Sequence, residues 1–316
     1  MPAGKMHADE PDIDTALVRG LIAGQFPQWA GLSVERVDSA GTSNAMYRLG
    51  TDLVVRLPRT PGAAGDVAME HVWLPRLAPG LPAAIPVPLG MGRPAGGYPW
   101  SWSVFGWVPG ENPVPGRIAE PDLLAEDLGE FVAALHRAEP AGAPASYRSE
   151  TLAARDAATR TAIAELGASG DAGPDPAAVT ALWEEALRAE PWSGPPVWIH
   201  ADLQPGNLLL ADGRLAAVID FGCAGLGEPA VDLIAAWYVL PAAARPAFRA
   251  ALDADDAMWA RSRGWALSIA LMELNYYKET NPVMAAIARH VIGELLAAAP
   301  RPHGPNDRNA HGTGRE

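Results

Sequence analysis

Apolar positions recur at helical spacing through Ile13, Leu17, Leu21 and Ile22, so residues 11–29 are predicted to hold a helix. The next stretch, LSVERVDSAG, alternates apolar and polar as a strand does and runs into GTSN at 41–44, a turn composition. AMYRLG and LVVRLP (53–58) read as a second and third strand across a short turn. An amphipathic helix is expected over 64–78, followed by strands in AIPVPLGMG and WSWSVFGWVPGE. The first hundred or so residues therefore predict a small, mostly antiparallel sheet with one helix within its sequence.

The pattern changes after VPGENPVPG (108–116). Leu124, Leu128, Val132 and Leu135 fall on one face of a helix expected over 121–137. Residues 140–175 are rich in Ala, Gly, Pro and Asp, and should hold a helix at 150–166 and a mobile loop. Further helices are expected at 176–190, 229–240, 242–252, 256–278 and 282–298, with short strands in PVWIH, NLLL and LAAVID. The polar segment 300–316 reads as a disordered tail. A β-rich lobe (1–107) thus precedes a helical lobe (108–299), and a cleft between two such lobes is a common ligand site.

Composition narrows the classes. The chain has 316 residues and a net charge of −13, of which residues 111–316 carry −12. An acidic second half disfavours nucleic acid and suits a cationic small molecule, although plain solubility accounts for it as well. A single cysteine, Cys223, excludes an internal disulfide and fits a reducing compartment. With no apolar leader and no run of about eighteen apolar residues, the expected location is the cytoplasm, without a membrane span.

The candidate chemistry lies in HADLQPGN (200–207) and DFG (220–222). Asp202 stands five residues before Asn207 in a loop after a β-like segment, and Asp220 opens a turn after LAAVI. Phosphoryl transfer asks a protein mainly for position and charge neutralisation. A carboxylate beside the acceptor hydroxyl can orient it and take its proton. An amide oxygen and a second carboxylate can hold Mg²⁺ against nucleotide phosphates. Each fragment alone is a weak signal; D-x₄-N, a short hairpin and DFG in this order are specific. Two other readings compete: polar caps of loops, and His200 with Asp202 as ligands of a hydrolytic metal.

Together these motifs resemble those of the aminoglycoside phosphotransferase family, within the protein-kinase-like fold. GEPAVDL after the DFG and WLPRLAPGLPAAIPVP upstream extend the resemblance to about residues 15–298. It implies an α+β bilobal molecule: a small antiparallel-sheet lobe with one helix, and a larger, mostly helical lobe. It also implies transfer of phosphoryl from a nucleoside triphosphate (ATP, with GTP possible) to a small-molecule hydroxyl, with Mg²⁺.

In that frame Asp202 resembles the catalytic base, and Asn207 and Asp220 the two Mg²⁺ ligands. His200 would brace the loop, and Asp232 would be a buried carboxylate holding its backbone. Thr42, Ser43 and Asn44 lie in the segment expected over the phosphates, and the backbone of Gly106 and Val108 near the base. The family's relatives in the wider fold place a Lys on the third strand. Here the only lysines are Lys5 and Lys278, and Arg56 stands in that place with Glu70 on the following helix. Guanidinium can hold phosphate oxygens bidentately, so the electrostatic role is retained.

The acceptor is less defined. Asp253, Asp255, Asp256, Glu273 and Glu279, with Asn275, Tyr276 and Tyr277, are candidates for a cationic acceptor, and a solvated helix face explains them equally. The acceptor could be an aminoglycoside or another antibiotic. Alternatives are a cationic or sugar-like metabolite, such as an amino alcohol or hydroxy amino acid, or a nucleotide-binding pseudoenzyme. Monomer and homodimer are both compatible with the sequence.

Overall fold

The computed structural model describes residues 10–37, 43–168 and 174–298. Thr42 and the 300–316 segment lie outside them, as does part of the loop expected within 140–175. The chain opens with α1 (Thr15–Gln25), capped by Asp14, whose side chain accepts from Leu17 N at 2.7 Å. Such a cap satisfies one of the four unpaired N–H groups at a helix start. Then come β1 (Val34–Arg36), β2 (Asn44–Leu49), β3 (Leu53–Pro58), β4 (Pro88–Gly92) and β5 (Trp102–Gly106). They form one antiparallel sheet in the order β1-β2-β3-β5-β4.

Between β3 and β4 runs α2 (Pro61–Leu77), which starts earlier than its apolar pattern predicts. Thr60 caps it and Pro61 occupies its first turn, a pairing that suits a helix start. The strand expected from Ala84 is split: Ala84 forms a bridge to Ala217 of the second lobe, and β4 begins only at Pro88. Pro86 and Pro88 lack the N–H needed to continue a ladder.

The second lobe contains α3 (Pro121–His136), α4 (Asp156–Ala168), α5 (Pro176–Arg188), β6 (Val197–Ile199), β7 (Leu208–Ala211) and β8 (Arg214–Val218). It continues with β9 (Gly225–Gly227), α6 (Ala235–Tyr238), α7 (Arg245–Ala251), α8 (Asp256–Tyr277) and α9 (Pro282–Ala297). β7 and β8 form a hairpin whose turn, Asp212-Gly213, has φ of 51° and 77°, the left-handed pair that a tight hairpin turn requires. β9 pairs antiparallel with β6 and was not foreseen from its pattern. The helix expected over 229–240 is instead a 3₁₀ segment, Pro229–Ile234, ending in the single turn α6.

Two apolar clusters result. One lies between α1 and one side of the sheet, around Tyr47, Leu49, Val55 and Trp102. The other begins with Val54 and Phe105 of the sheet, takes in Leu74 and Leu77 of α2, and continues through α3, the 200–208 segment, α8 and α9. The small lobe is therefore welded to the large one through α2 as well as through the linker after β5. Trp73 of α2 packs on Trp198 of β6 with ring centroids 5.1 Å apart. The linker is fixed where Glu111 and Leu210 exchange backbone hydrogen bonds at 2.9 and 2.8 Å, and where Asn112 Nδ2 donates to Leu208 O at 2.8 Å.

Candidate active site

The two motifs meet because the β7–β8 hairpin returns the chain on itself. Ile219 N donates to Asn207 O at 2.8 Å, which sets Asn207 beside Asp220. Ala201 and Asp220 both adopt left-handed backbone, φ 68° and 63°, a conformation that L side chains disfavour. Its cost must be met by neighbours, and Asp232 supplies the first clamp. Fully buried, it accepts from His200 N at 3.0 Å and Ala201 N at 2.7 Å, and it also contacts His136 Nε2 at 3.2 Å. The bracing role expected of Asp232 thus has a geometric basis.

His200 is also fully buried. Its Nδ1 accepts from Asp202 N at 3.2 Å and its Nε2 faces Ile219 O at 3.0 Å, which fixes the tautomer with the proton on Nε2. Phe221 packs edge-on against the ring at 4.6 Å. With both nitrogens engaged, His200 has no lone pair for a metal, so the reading of His200 and Asp202 as hydrolytic metal ligands is dropped.

Asp202 is well partnered. Its Oδ1 receives Gln204 Nε2 at 3.0 Å and Arg148 Nη1 at 3.3 Å. Its Oδ2 receives Asn207 Nδ2 at 2.9 Å, and the same nitrogen donates to Asp202 O at 2.8 Å. Arg148 Nη1 also bonds Ala201 O. Burial alone would make the Arg148 guanidinium less basic; Asp202, with Glu273 and the other acidic groups around it, outweighs that effect and the pKa is raised.

Opposite lies a cluster centred on Arg56. Nη1 meets Glu70 Oε1 at 2.6 Å and Nη2 meets Asp220 Oδ1 at 2.7 Å. With its amide oxygen turned to the guanidinium, Asn44 accepts from Nε and Nη2 at 3.0 Å each. Four of the five guanidinium hydrogens are thereby used, and one on Nη1 is left over. Burial pulls the Arg56 pKa down, but Glu70 and Asp220 outweigh it and the net shift is upward. Burial raises the Glu70 carboxyl. It also pushes Asp66, one helical turn before Glu70, up to about 6, with the charges of Glu70 and Asp220 adding to it.

Of the expected site residues, Asn44, Arg56, Glu70 and Asp220 form this cluster, and Asp202 and Asn207 adjoin it through the hairpin. Ser43 precedes β2, where its carbonyl accepts from Arg59 N at 2.9 Å. Gly106 ends β5 opposite Leu53, and Val108 follows it half-buried in the linker. Asp66, Arg148, Gln204 and Tyr238 were missed. Asp66 could have been found from its four-residue spacing to Glu70 on one helix face. Gln204 lies within the HADLQPGN motif two residues after Asp202, whereas Arg148 and Tyr238 carry no local signal, because only tertiary folding brings Arg148 to Asp202 and Tyr238 to Glu273.

The donor set fits a magnesium ion. Both Nδ2 hydrogens of Asn207 go to Asp202, leaving its Oδ1 for a cation. Asp220 is 42% exposed and commits only Oδ1 to protein. No group of three His, Cys, Asp or Glu suited to a metal occurs among the described residues. Two oxygen ligands, with water and phosphate completing the shell, is the usual arrangement for Mg²⁺ and not for Zn²⁺.

The acidic candidates on α8 separate by distance. Asp255 caps the helix through Met258 N at 2.6 Å, and Asp256 pairs with Arg249 at 2.5 Å. At 1.5 Å rise per residue they stand about 27 Å along the axis from Glu273. One small acceptor cannot span both ends, so Asp253, Asp255 and Asp256 are removed as partners of a molecule held at Asp202. Asn275 Nδ2 is engaged with Glu165 at 2.9 Å.

Comparison with known proteins bears on the family and the fold. A family model described as the phosphotransferase enzyme family matches residues 34–265. The chain belongs to that phosphotransferase family. Among solved structures, the GDP complex of wild-type aminoglycoside 2′-phosphotransferase-IIIa has a TM-score of 0.72 at 19% identity, covering 90% of this chain and 99% of that one. A GDP and kanamycin complex named APH(2″)-IIIa gives 0.69 at 20% identity, covering 89% and 98%. The macrolide 2′-phosphotransferase MphH from Brachybacterium faecium gives 0.59 at 22% identity, covering 88% and 97%. At these identities the likeness establishes that the phosphotransferase shares their fold. No curated protein matched the sequence. No helix among the described residues is long and apolar enough to cross a membrane.

Proposed function

We propose that this phosphotransferase moves the γ-phosphoryl group of ATP or GTP to a hydroxyl of a small antibiotic-like acceptor, an aminoglycoside or macrolide. The observation that carries the reading is the convergence of Asp202, Asn207 and Asp220 across one hairpin, facing Arg56 and Glu70. The solved relatives hold GDP, ADP or ATP, and kanamycin, gentamicin or streptomycin, which favours the same ligand classes here.

Asn207 and Asp220 would hold Mg²⁺, which when bound neutralises phosphate charge. The remaining Nη1 hydrogen of Arg56 is available to a phosphate oxygen. Asp202 accepts the acceptor O–H, orients its oxygen toward the γ-phosphorus and receives the proton. The O–P bond to the acceptor forms as the bond from the γ-phosphorus to the β–γ bridging oxygen breaks, and the nucleoside diphosphate leaves. Gly106 and Val108 lie at the strand end where a nucleotide base would reach backbone groups, and Ser43 and Asn44 at the edge over the phosphates. The acidic second lobe supports a cationic acceptor over an anionic one.

The test is nucleotide consumption with Mg²⁺ against aminoglycosides, macrolides, amino alcohols and sugars, with ATP and GTP, and Asp220→Ala as control. A phosphorylated antibiotic present with wild type and absent with the control supports the reading. Turnover confined to an amino alcohol or sugar would replace the acceptor class.

A further inference from the structure

We infer that Glu273 is a positioning residue for Asp202, acting through Gln204 to fix which carboxylate oxygen meets the acceptor hydroxyl. The inference rests on the reading of Asp202 as the base. Gln204 Nε2 donates to Asp202 Oδ1 at 3.0 Å and to Glu273 Oε1 at 2.5 Å. An amide nitrogen has two hydrogens, so both are committed and the amide plane is set by two carboxylates.

Glu273 is itself fixed, since the Tyr238 hydroxyl donates to Oε2 at 2.9 Å. Each of its oxygens therefore has a protein donor, an arrangement that suits a strut better than a docking point for an ammonium group. On Asp202, Oδ1 is capped twice, by Gln204 and Arg148, whereas Oδ2 receives only Asn207. Oδ2 keeps the open lone pair, on the side of Asn207. The strut joins α8, α6 and the catalytic loop, so the orientation of the base is tied to the body of the large lobe.

The charged and titratable groups facing Glu273 are Asp202, Arg148 and Tyr238. Burial, with the Asp202 charge adding to it, lifts the Glu273 carboxyl to about 7. The protonated fraction relieves repulsion between two carboxylates sharing one amide.

The test compares Glu273→Ala, Glu273→Gln, Gln204→Ala and the double alanine variant in the full chain. Turnover is read as Mg²⁺-ATP hydrolysis, with water as acceptor, and with kanamycin where it is phosphorylated. Misplacing a reactive group can cost up to about a hundredfold in rate, so Glu273→Ala and Gln204→Ala should each lower kcat about tenfold. KM for ATP should stay within about twofold. The double variant should be no slower than the worse single one, as expected of residues acting in series. Glu273→Gln, which keeps an oxygen for Gln204, should retain most of the wild-type kcat.

Additive losses in the double variant would overturn the inference. So would a Glu273→Ala enzyme with wild-type kcat and a raised KM for kanamycin, which would mark a binding carboxylate. If Glu273→Ala does not fold, Gln204→Ala alone decides, and an unchanged kcat there rejects the strut. Asp202→Asn in the same assay separates the two levels. Wild-type turnover in that variant removes the base itself, whereas its collapse beside unaffected Glu273→Ala and Gln204→Ala removes only the strut.

Discussion

At the scale of single residues, Arg56 shows how a substitution in a familiar place is accommodated. A guanidinium reaches Asn44, Glu70 and Asp220 together because its donors are spread over a planar fork. An ammonium presents three donors from one point and cannot span the same set. Arg56→Lys should therefore raise the nucleotide KM about tenfold, the equivalent of one lost charge-assisted hydrogen bond. A titration with ATP and GTP checks this; equal KM values would mean that the fork is dispensable. Cys223 behaves differently from a reactive thiol. Burial pushes its pKa up to about 12, so it should resist disulfide reagents at pH 8 until the protein is unfolded. Rapid labelling of the native protein would contradict this.

At the scale of elements, the site depends on a loop in an unfavourable backbone conformation held by one buried carboxylate. Removing Asp232 leaves His200 N and Ala201 N without an acceptor in a dry interior. With each of the two hydrogen bonds to a charged group worth about 1.5–3 kcal/mol, Asp232→Ala should cost about 3–6 kcal/mol, read from urea unfolding. A cost below about 1 kcal/mol would show that the loop holds itself. Gly110 is a second such point. Its φ of +148° and the 2.9 Å approach of a Cβ there to Leu209 Cβ exclude a side chain, so Gly110→Ala should lower Tm by several degrees.

Most elements were legible because their periodicity and caps agree: α1 and α3 follow their apolar stripes, and Asp212-Gly213 marks its hairpin. The failures have physical causes. β9 is Gly-Leu-Gly, with no strand propensity, and exists because Gly225 lets the backbone at Ala145 approach to 2.7 Å of where a Cβ would stand. The 229–240 segment is apolar except at Asp232 and reads as a helix, yet it is drawn into 3₁₀ turns that deliver Asp232 to the His200 and Ala201 backbone. The candidate base and metal pair were legible because short-range motifs carry them. Arg148 and Tyr238 were not, since nothing local links positions 148 and 238 to 202 and 273.

At the scale of the whole molecule, the two lobes share an apolar core through α2 but meet at a polar site, so titration there feeds into stability. The Glu273 carboxyl rises from its ordinary 4.5 to about 7 in the folded protein. The folded state thus holds a proton that the unfolded chain releases between those values. Stability from this group is full below about 4.5 and is lost as pH rises to about 7. Asp66, lifted to about 6, acts with the same sign over a lower window. Wild type should therefore lose more stability between pH 5 and 8 than Glu273→Gln, measured by urea unfolding at both values; parallel losses would contradict the raised carboxyl.

The measurement that tests the account most directly is a paired one on wild type and Asp202→Ala. Nucleotide binding with Mg²⁺ is measured by calorimetry, and phosphorylated acceptor is measured by mass spectrometry across the aminoglycoside and macrolide panel. The account predicts equal nucleotide affinity in the two proteins, and product formation that falls about 10²–10⁴-fold without the carboxylate. Equal product from both proteins would contradict it.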